Sequence, residues 1–167
     1  MFLFLVASFL PPALADETGM NEEGQTELAT RNSNANPERT LHPRRKGDDI
    51  AERLLALGAA VVCLLDALSQ QSGAKNIVKQ LERCGPAGGA NYEEARGAES
   101  PADFIHKVRI ALKEVRETRY WLRLVLQAKL LEDAHHLMAL IAEADELIAI
   151  LTASANTARR RTEPRAY

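Results

Sequence analysis

The chain has 167 residues, 46% apolar, 26% charged and only 5% aromatic, with a formal net charge of −2. That length suits one domain with appended tails, and about 150 compact residues bury roughly 70% of their surface, so a single core needs no staples. Abundant Ala, Leu, Glu and Arg with few β-formers argue against a sandwich or barrel; two cysteines, Cys63 and Cys84, are too few for a disulfide framework or a four-cysteine zinc site; and the net charge excludes a globally basic nucleic-acid binder, though not a local basic face.

Residues 1–15, MFLFLVASFLPPALA, form an apolar stretch of signal-peptide length ending in Ala13-Leu14-Ala15, without the basic residues that normally precede one. The run is too short for a bilayer span. Two readings stand: a signal peptide on a secreted or periplasmic protein, or a true start at Met20 or later on a cytoplasmic one. Residues 16–47 hold almost no apolar side chain to offset the entropy of ordering and read as a disordered arm ending in Arg44-Arg45-Lys46.

The first predicted helix begins at Asp48-Asp49, carboxylates that suit its positive dipole end, and breaks at Ser72-Gly73. Its seam is Ile50, Leu54, Leu57, Val61, Leu64 and Leu68 at alternating steps of four and three. The second, over about 74–98, keeps the seam through Ile77, Leu81 and Cys84, then meets Gly85-Pro86-Ala87-Gly88-Gly89, which predicts a kink or break near residue 85. A resumed register places Asn91 on the inward face with Leu81 and Cys84. The glycine pair is read as close helix packing or a bend, and both cysteines as small buried hydrophobes.

Ser100-Pro101 has the chemistry of an N-cap followed by the first helical residue, opening a third helix to about residue 128 with Phe104, Val108, Ala111, Val115, Thr118, Leu122 and Val125 as its seam. The fourth helix, about 132–155, carries Ala134, Leu137, Ile141, Ala144, Ile148 and Leu151, and Arg159-Arg160-Arg161 follow its end. Short connections between four amphipathic helices predict an all-α, antiparallel up-and-down four-helix bundle over residues 48–155, with a basic disordered tail over 156–167.

On a helical wheel the third helix shows two strips outside its seam. Arg109, Lys113, Arg116, Tyr120 and Arg123 form a basic stripe with one aromatic, the composition of phosphate contacts plus a stacking surface. Ile110, Trp121 and Leu124, interleaved with Asp103, Glu114 and Glu117, form an apolar strip that predicts a subunit interface. The bundle segment holds 12 basic and 16 acidic residues, whereas residues 101–127 hold 6 against 3, so the near-neutral total averages unlike parts.

Catalytic and metal sites are not expected. Asp103-x-x-His106 and Glu132-x-x-His135 start consecutive antiparallel helices and fall on the order of 35 to 40 Å apart, too far to share a metal. No nucleophile sits in a recognisable elbow, and no glycine-rich loop follows a strand. Neither a cofactor, a small-molecule substrate nor a membrane is implied.

The segments Gln80-Leu81-Glu82-Arg83, Asn91-Tyr92-Glu93-Glu94-Ala95, Glu99-Ser100-Pro101-Ala102-Asp103-Phe104-Ile105-His106-Lys107, Ile110 through Thr118, and Tyr120-Trp121-Leu122-Arg123-Leu124 resemble the bacterial four-helix bundle family also called 23S rRNA-intervening sequence proteins. The resemblance covers about residues 48–155. It implies an up-and-down bundle assembling into a ring, a pentamer in members of known structure, with no established enzymatic activity and a nucleic-acid-binding role; with the basic stripe, the expected partner is structured RNA or a ribonucleoprotein, the alternative being a protein-protein interaction scaffold built on the Trp121 strip. The fold it implies is shared with the accessory protein of diversity-generating retroelements, which binds RNA and a reverse transcriptase. Asn91 and Glu94 match polar positions of the family, for which an inward hydrogen-bond network or a subunit contact is expected. Ala87 stands where the family commonly has a small hydroxyl residue.

Overall fold

The computed structural model describes residues 45–163, which form four helices: α1 (Asp48–Ser69), α2 (Lys75–Arg96), α3 (Pro101–Gln127) and α4 (Ala134–Thr162). The signal-peptide reading, the arm up to residue 44 and the last four residues of the expected tail lie outside the described residues. Helices adjacent in the chain pack together, α1 closes against α4 through the thinnest interface, and neither diagonal pair makes a close backbone approach. This is the predicted all-α four-helix bundle.

Local chemistry sets the boundaries. Gly47 precedes α1 at φ 89°, a left-handed conformation that favours glycine, with Asp48 and Asp49 in the first turn. Ser100 caps α3 by accepting the Asp103 N–H at 3.1 Å, with Pro101 opening the helix as its chemistry predicts. Asp133 caps α4 by accepting the His136 N–H at 2.9 Å.

The core layers largely follow the expected seams. Leu54, Leu57, Val61 and Leu68 of α1, Leu81 and Cys84 of α2, and Val108, Ala111, Val115, Thr118, Leu122 and Val125 of α3 are all buried. Thr118 is the one buried polar side chain among the described residues, and its hydroxyl donates to the Glu114 carbonyl at 2.9 Å.

Four differences from the sequence reading have physical causes. First, α2 runs uninterrupted through Pro86. The proline removes one hydrogen bond, to the Glu82 carbonyl, but both residues are exposed, a position where solvent can take the place of the missing donor. The glycines meanwhile let α2 approach its neighbours. A Cβ at Gly58 would stand 3.3 Å from the Gly85 carbonyl oxygen, one at Gly85 2.7 Å from Val61 Cγ1, and one at Gly88 2.7 Å from Val115 Cγ2. Second, the deep face of α4 is Leu137, Leu140, Ala144, Leu147, Leu151 and Ala155, while Ile141 and Ile148 are half-buried and Ala134 is exposed. Leu140 and Leu147 share the side of α4 that carries Glu143 and so faces α1.

Third, α4 continues to Thr162, so Arg159, Arg160 and Arg161 form its last turn rather than following its end. Cations there complement the negative end of the dipole, and the Thr162 hydroxyl donates to the Arg159 carbonyl at 2.7 Å. Fourth, Cys63 is exposed, and only Cys84 behaves as the expected buried hydrophobe. Burial pushes the Cys84 thiol up from its ordinary range.

Each adjacent helix pair carries an arginine–carboxylate clamp. Arg96 binds Asp48 between α2 and α1, Arg83 binds Glu114 and Glu117 between α2 and α3, and Arg119 binds Asp145 between α3 and α4. Arg53 of α1 forks onto Glu143 at 2.7 Å and reaches Glu146 at 2.6 Å across the thin α1–α4 seam. Of these, Arg53 meets Glu143 through two parallel N–H···O bonds, the planar geometry that adds specificity to a contact between helices.

Candidate nucleic-acid interface

The outer face of α3 presents Arg109, Lys113, Arg116, Tyr120 and Arg123, all exposed. The fourteen steps from Arg109 to Arg123, at about 1.5 Å each, make this stripe about 21 Å long. Among the described residues, none of its four cations forms an ion pair. The arginines at the helix interfaces, Arg53, Arg83, Arg96 and Arg119, are all paired. The chain thus sorts its cations: those between helices are neutralised, and those on the outer face of α3 are left to solvent.

The sorting extends to the acids of α3. Glu117 lies four residues beyond Lys113, the spacing at which a carboxylate would neutralise it. Instead Arg83 of α2 takes Glu117 and, at 3.4 Å, Glu114. The Arg83 guanidinium, helped by the Trp121 indole N–H, holds the Glu117 carboxyl below its usual range. With its own acids turned toward α2, the stripe keeps its positive field.

Tyr120 is 59% exposed and packs edge-to-face on Trp121, with ring centroids 5.0 Å apart at 78°. Trp121 is half-buried against the core, and its indole N–H donates to Glu117 Oε1 at 3.4 Å. Ile110 and Leu124, the other members of the expected apolar strip, are also half-buried. The strip lies on the side of α3 that carries Glu114 and Glu117, beside the Arg83 clamp, with part of its surface left accessible.

Besides Met138 of α4, the most exposed large aliphatic side chains among the described residues lie elsewhere, at Leu55 (65%) and Val62 (50%) of α1. They belong to a run from Leu54 to Leu65 that contains no polar side chain, so α1 is apolar on its outer face as well as toward the core. A seam on one side of the helix does not reveal this face; the unbroken apolar run from Leu54 to Leu65 is the signal that does.

Asn91 and Glu94 lie apart from the stripe, on α2. Asn91 is half-buried and its amide donates to the Ala87 carbonyl one turn back at 2.8 Å, while Glu94 is exposed. The Asn91 bond thus stays within its own helix and ends on the backbone of Ala87 itself. Among the described residues no group of three or more His, Cys, Asp or Glu side chains converges to hold a metal. No described helix is long and apolar enough to cross a membrane.

The family model for 23S rRNA-intervening sequence proteins matches residues 49–153, from the first turn of α1 into α4. A crystal structure of a protein of unknown function from the S23 ribosomal protein family of Bacteroides thetaiotaomicron is similar at 31% identity. The likeness covers 64% of this chain and 97% of that one, with a TM-score of 0.59. No curated protein matches the chain.

Proposed function

Because the chain belongs to the 23S rRNA-intervening sequence protein family, we propose that it is a non-enzymatic, oligomeric bundle that binds structured RNA, or a ribonucleoprotein partner, through the outer face of α3. One observation carries this reading: Arg109, Lys113, Arg116 and Arg123 are exposed and free of ion pairs among the described residues, while nearby Glu114 and Glu117 are held by Arg83. A polyanion offers such a row the counter-charge that the fold withholds. Assembly multiplies the stripe by the number of subunits, which lets a chain of net charge −2 present a large positive field. The likeness to the accessory protein of diversity-generating retroelements belongs to the same proposal, as do a five-membered ring and a cytoplasmic location.

The test replaces Arg109, Lys113, Arg116 and Arg123 together by Glu and measures RNA retention by filter binding. Loss of binding with an unchanged helical spectrum supports the reading; retention equal to that of the parent overturns it.

A second reading, a protein-binding scaffold without nucleic acid, is favoured by the outer face of α1, where Leu55 and Val62 stand in water. In the first reading the same face serves as the contact between subunits.

A further inference from the structure

We propose that the stripe on α3 takes an unpaired stretch of RNA, a loop or bulge rather than a duplex, with one base stacked on Tyr120 and the neighbouring phosphates on Arg116 and Arg123. The inference rests on the RNA-binding reading and adds the class of ligand.

Its basis is the placement of one aromatic ring. Tyr92 is buried, and Phe104 and Trp121 are half-buried against the core, but Tyr120 is 59% exposed in the middle of a row of cations. Arg116 lies four residues before it and Arg123 three after, about 6 and 4.5 Å along the helix axis. Among the described residues its hydroxyl makes no hydrogen bond, so neither burial in the core nor polar pairing accounts for a large ring at this site.

The ring is nonetheless held. Trp121 braces it edge-to-face, Glu117 accepts the indole N–H of Trp121, and Arg83 locks Glu117. This chain from α2 to the α3 surface gives Tyr120 a fixed support at little cost in ordering when a ligand arrives. A base inside a duplex already stacks on its neighbours and cannot cover a tyrosine, whereas an unpaired base can, and guanidinium groups on either side suit its two phosphates. A duplex would use the cations alone.

The test measures fluorescence anisotropy of a labelled single-stranded RNA octamer, and of the same octamer annealed to its complement, against the full chain and two variants. Trp121, the sole tryptophan, reports on the Tyr120 ring through its own emission. The expected result is that Tyr120→Ala weakens the single strand about ten-fold and leaves the duplex unchanged, that Tyr120→Phe keeps the parent affinity, and that the single strand but not the duplex alters Trp121 emission. Equal losses for both RNAs, or none for the single strand, overturn the inference. In that event the broader reading stands if Arg116→Glu with Arg123→Glu still abolishes binding, and falls with it if that variant binds normally. Because Tyr120 is exposed, its truncation leaves the core intact, which an unchanged melting temperature verifies.

Discussion

Arg83 of α2 and Glu117 of α3 form a direct ion pair across the helix interface, and the second guanidinium nitrogen lies 3.4 Å from Glu114. The pair couples the fold to the proposed interface, since it draws away the carboxylate that helical spacing would otherwise aim at Lys113. Arg83→Ala should therefore weaken RNA binding several-fold although Arg83 is not part of the stripe. Its exposure leaves the pair a minor term in stability, so the melting temperature should barely move. Filter binding alongside thermal melts checks both outcomes; unchanged affinity would show that Glu114 and Glu117 leave the stripe alone even when released.

The same pair sets a pH dependence. Because the folded Glu117 carboxyl is held below its ordinary value, first by Arg83, its contribution is present above the unfolded value and disappears as pH falls through the lower folded one. The small melting-temperature gap between the parent and Glu117→Gln, at most a minor term in stability for so exposed a pair, should thus be widest at neutral pH and close in acid. A gap constant with pH would assign the effect to lost packing.

The glycines of α2 divide by what faces them. A Cβ at Gly85 would meet Val61 at 2.7 Å from Cγ1 and 3.2 Å from Cβ, a stiff branched side chain on a packed neighbour, so Gly85→Ala should destabilise by about 1–3 kcal/mol. At Gly89 the nearest atoms of Leu54 are 3.7 Å away, ordinary contact, and Gly89→Ala should stabilise by about 0.5–1 kcal/mol through helix propensity. Urea titrations of the two variants should move in opposite directions.

Pro86 can be tested in the same way. Its missing donor leaves the exposed Glu82 carbonyl to water, so Pro86→Ala should restore a helical hydrogen bond and raise stability by roughly 1–3 kcal/mol. A loss of stability would mean that the proline backbone, 3.3 Å from a Cβ position on Gly58, sets the close approach of α1 to α2.

These glycine and proline effects mark where the sequence was readable and where it was not. The caps at Ser100 and the acidic start of α1 act on their own backbone, and the seams of α1 and α3 repeat often enough to be read directly. Continuity of α2 through Pro86 depends on glycines meeting Gly58, Val61 and Val115 on other helices, which local pattern does not encode. The basic stripe was visible as spacing, but its freedom from ion pairs was not, because the partners of Glu114 and Glu117 lie some thirty residues away on α2. Trp121 falls outside the seam on the wheel of α3, and its half-burial against the core is not encoded in the pattern of α3 alone.

The outer face of α1 bears on assembly. The parent should run in light scattering as a multiple of 18.4 kDa, and Leu55→Glu with Val62→Glu should dissociate it. A monomeric parent would remove the oligomer from the account and leave that face to another protein.

The most direct measurement of the central claim is the salt dependence of RNA affinity. Four phosphate contacts predict a slope of about −3 in the logarithm of the binding constant against the logarithm of salt concentration, roughly a 60-fold loss between about 50 and 200 mM. Lys113→Ala should bring the slope about one unit closer to zero. A parent slope near zero, or one that Lys113→Ala leaves unchanged, would contradict the assignment of the outer face of α3 as the RNA-binding surface.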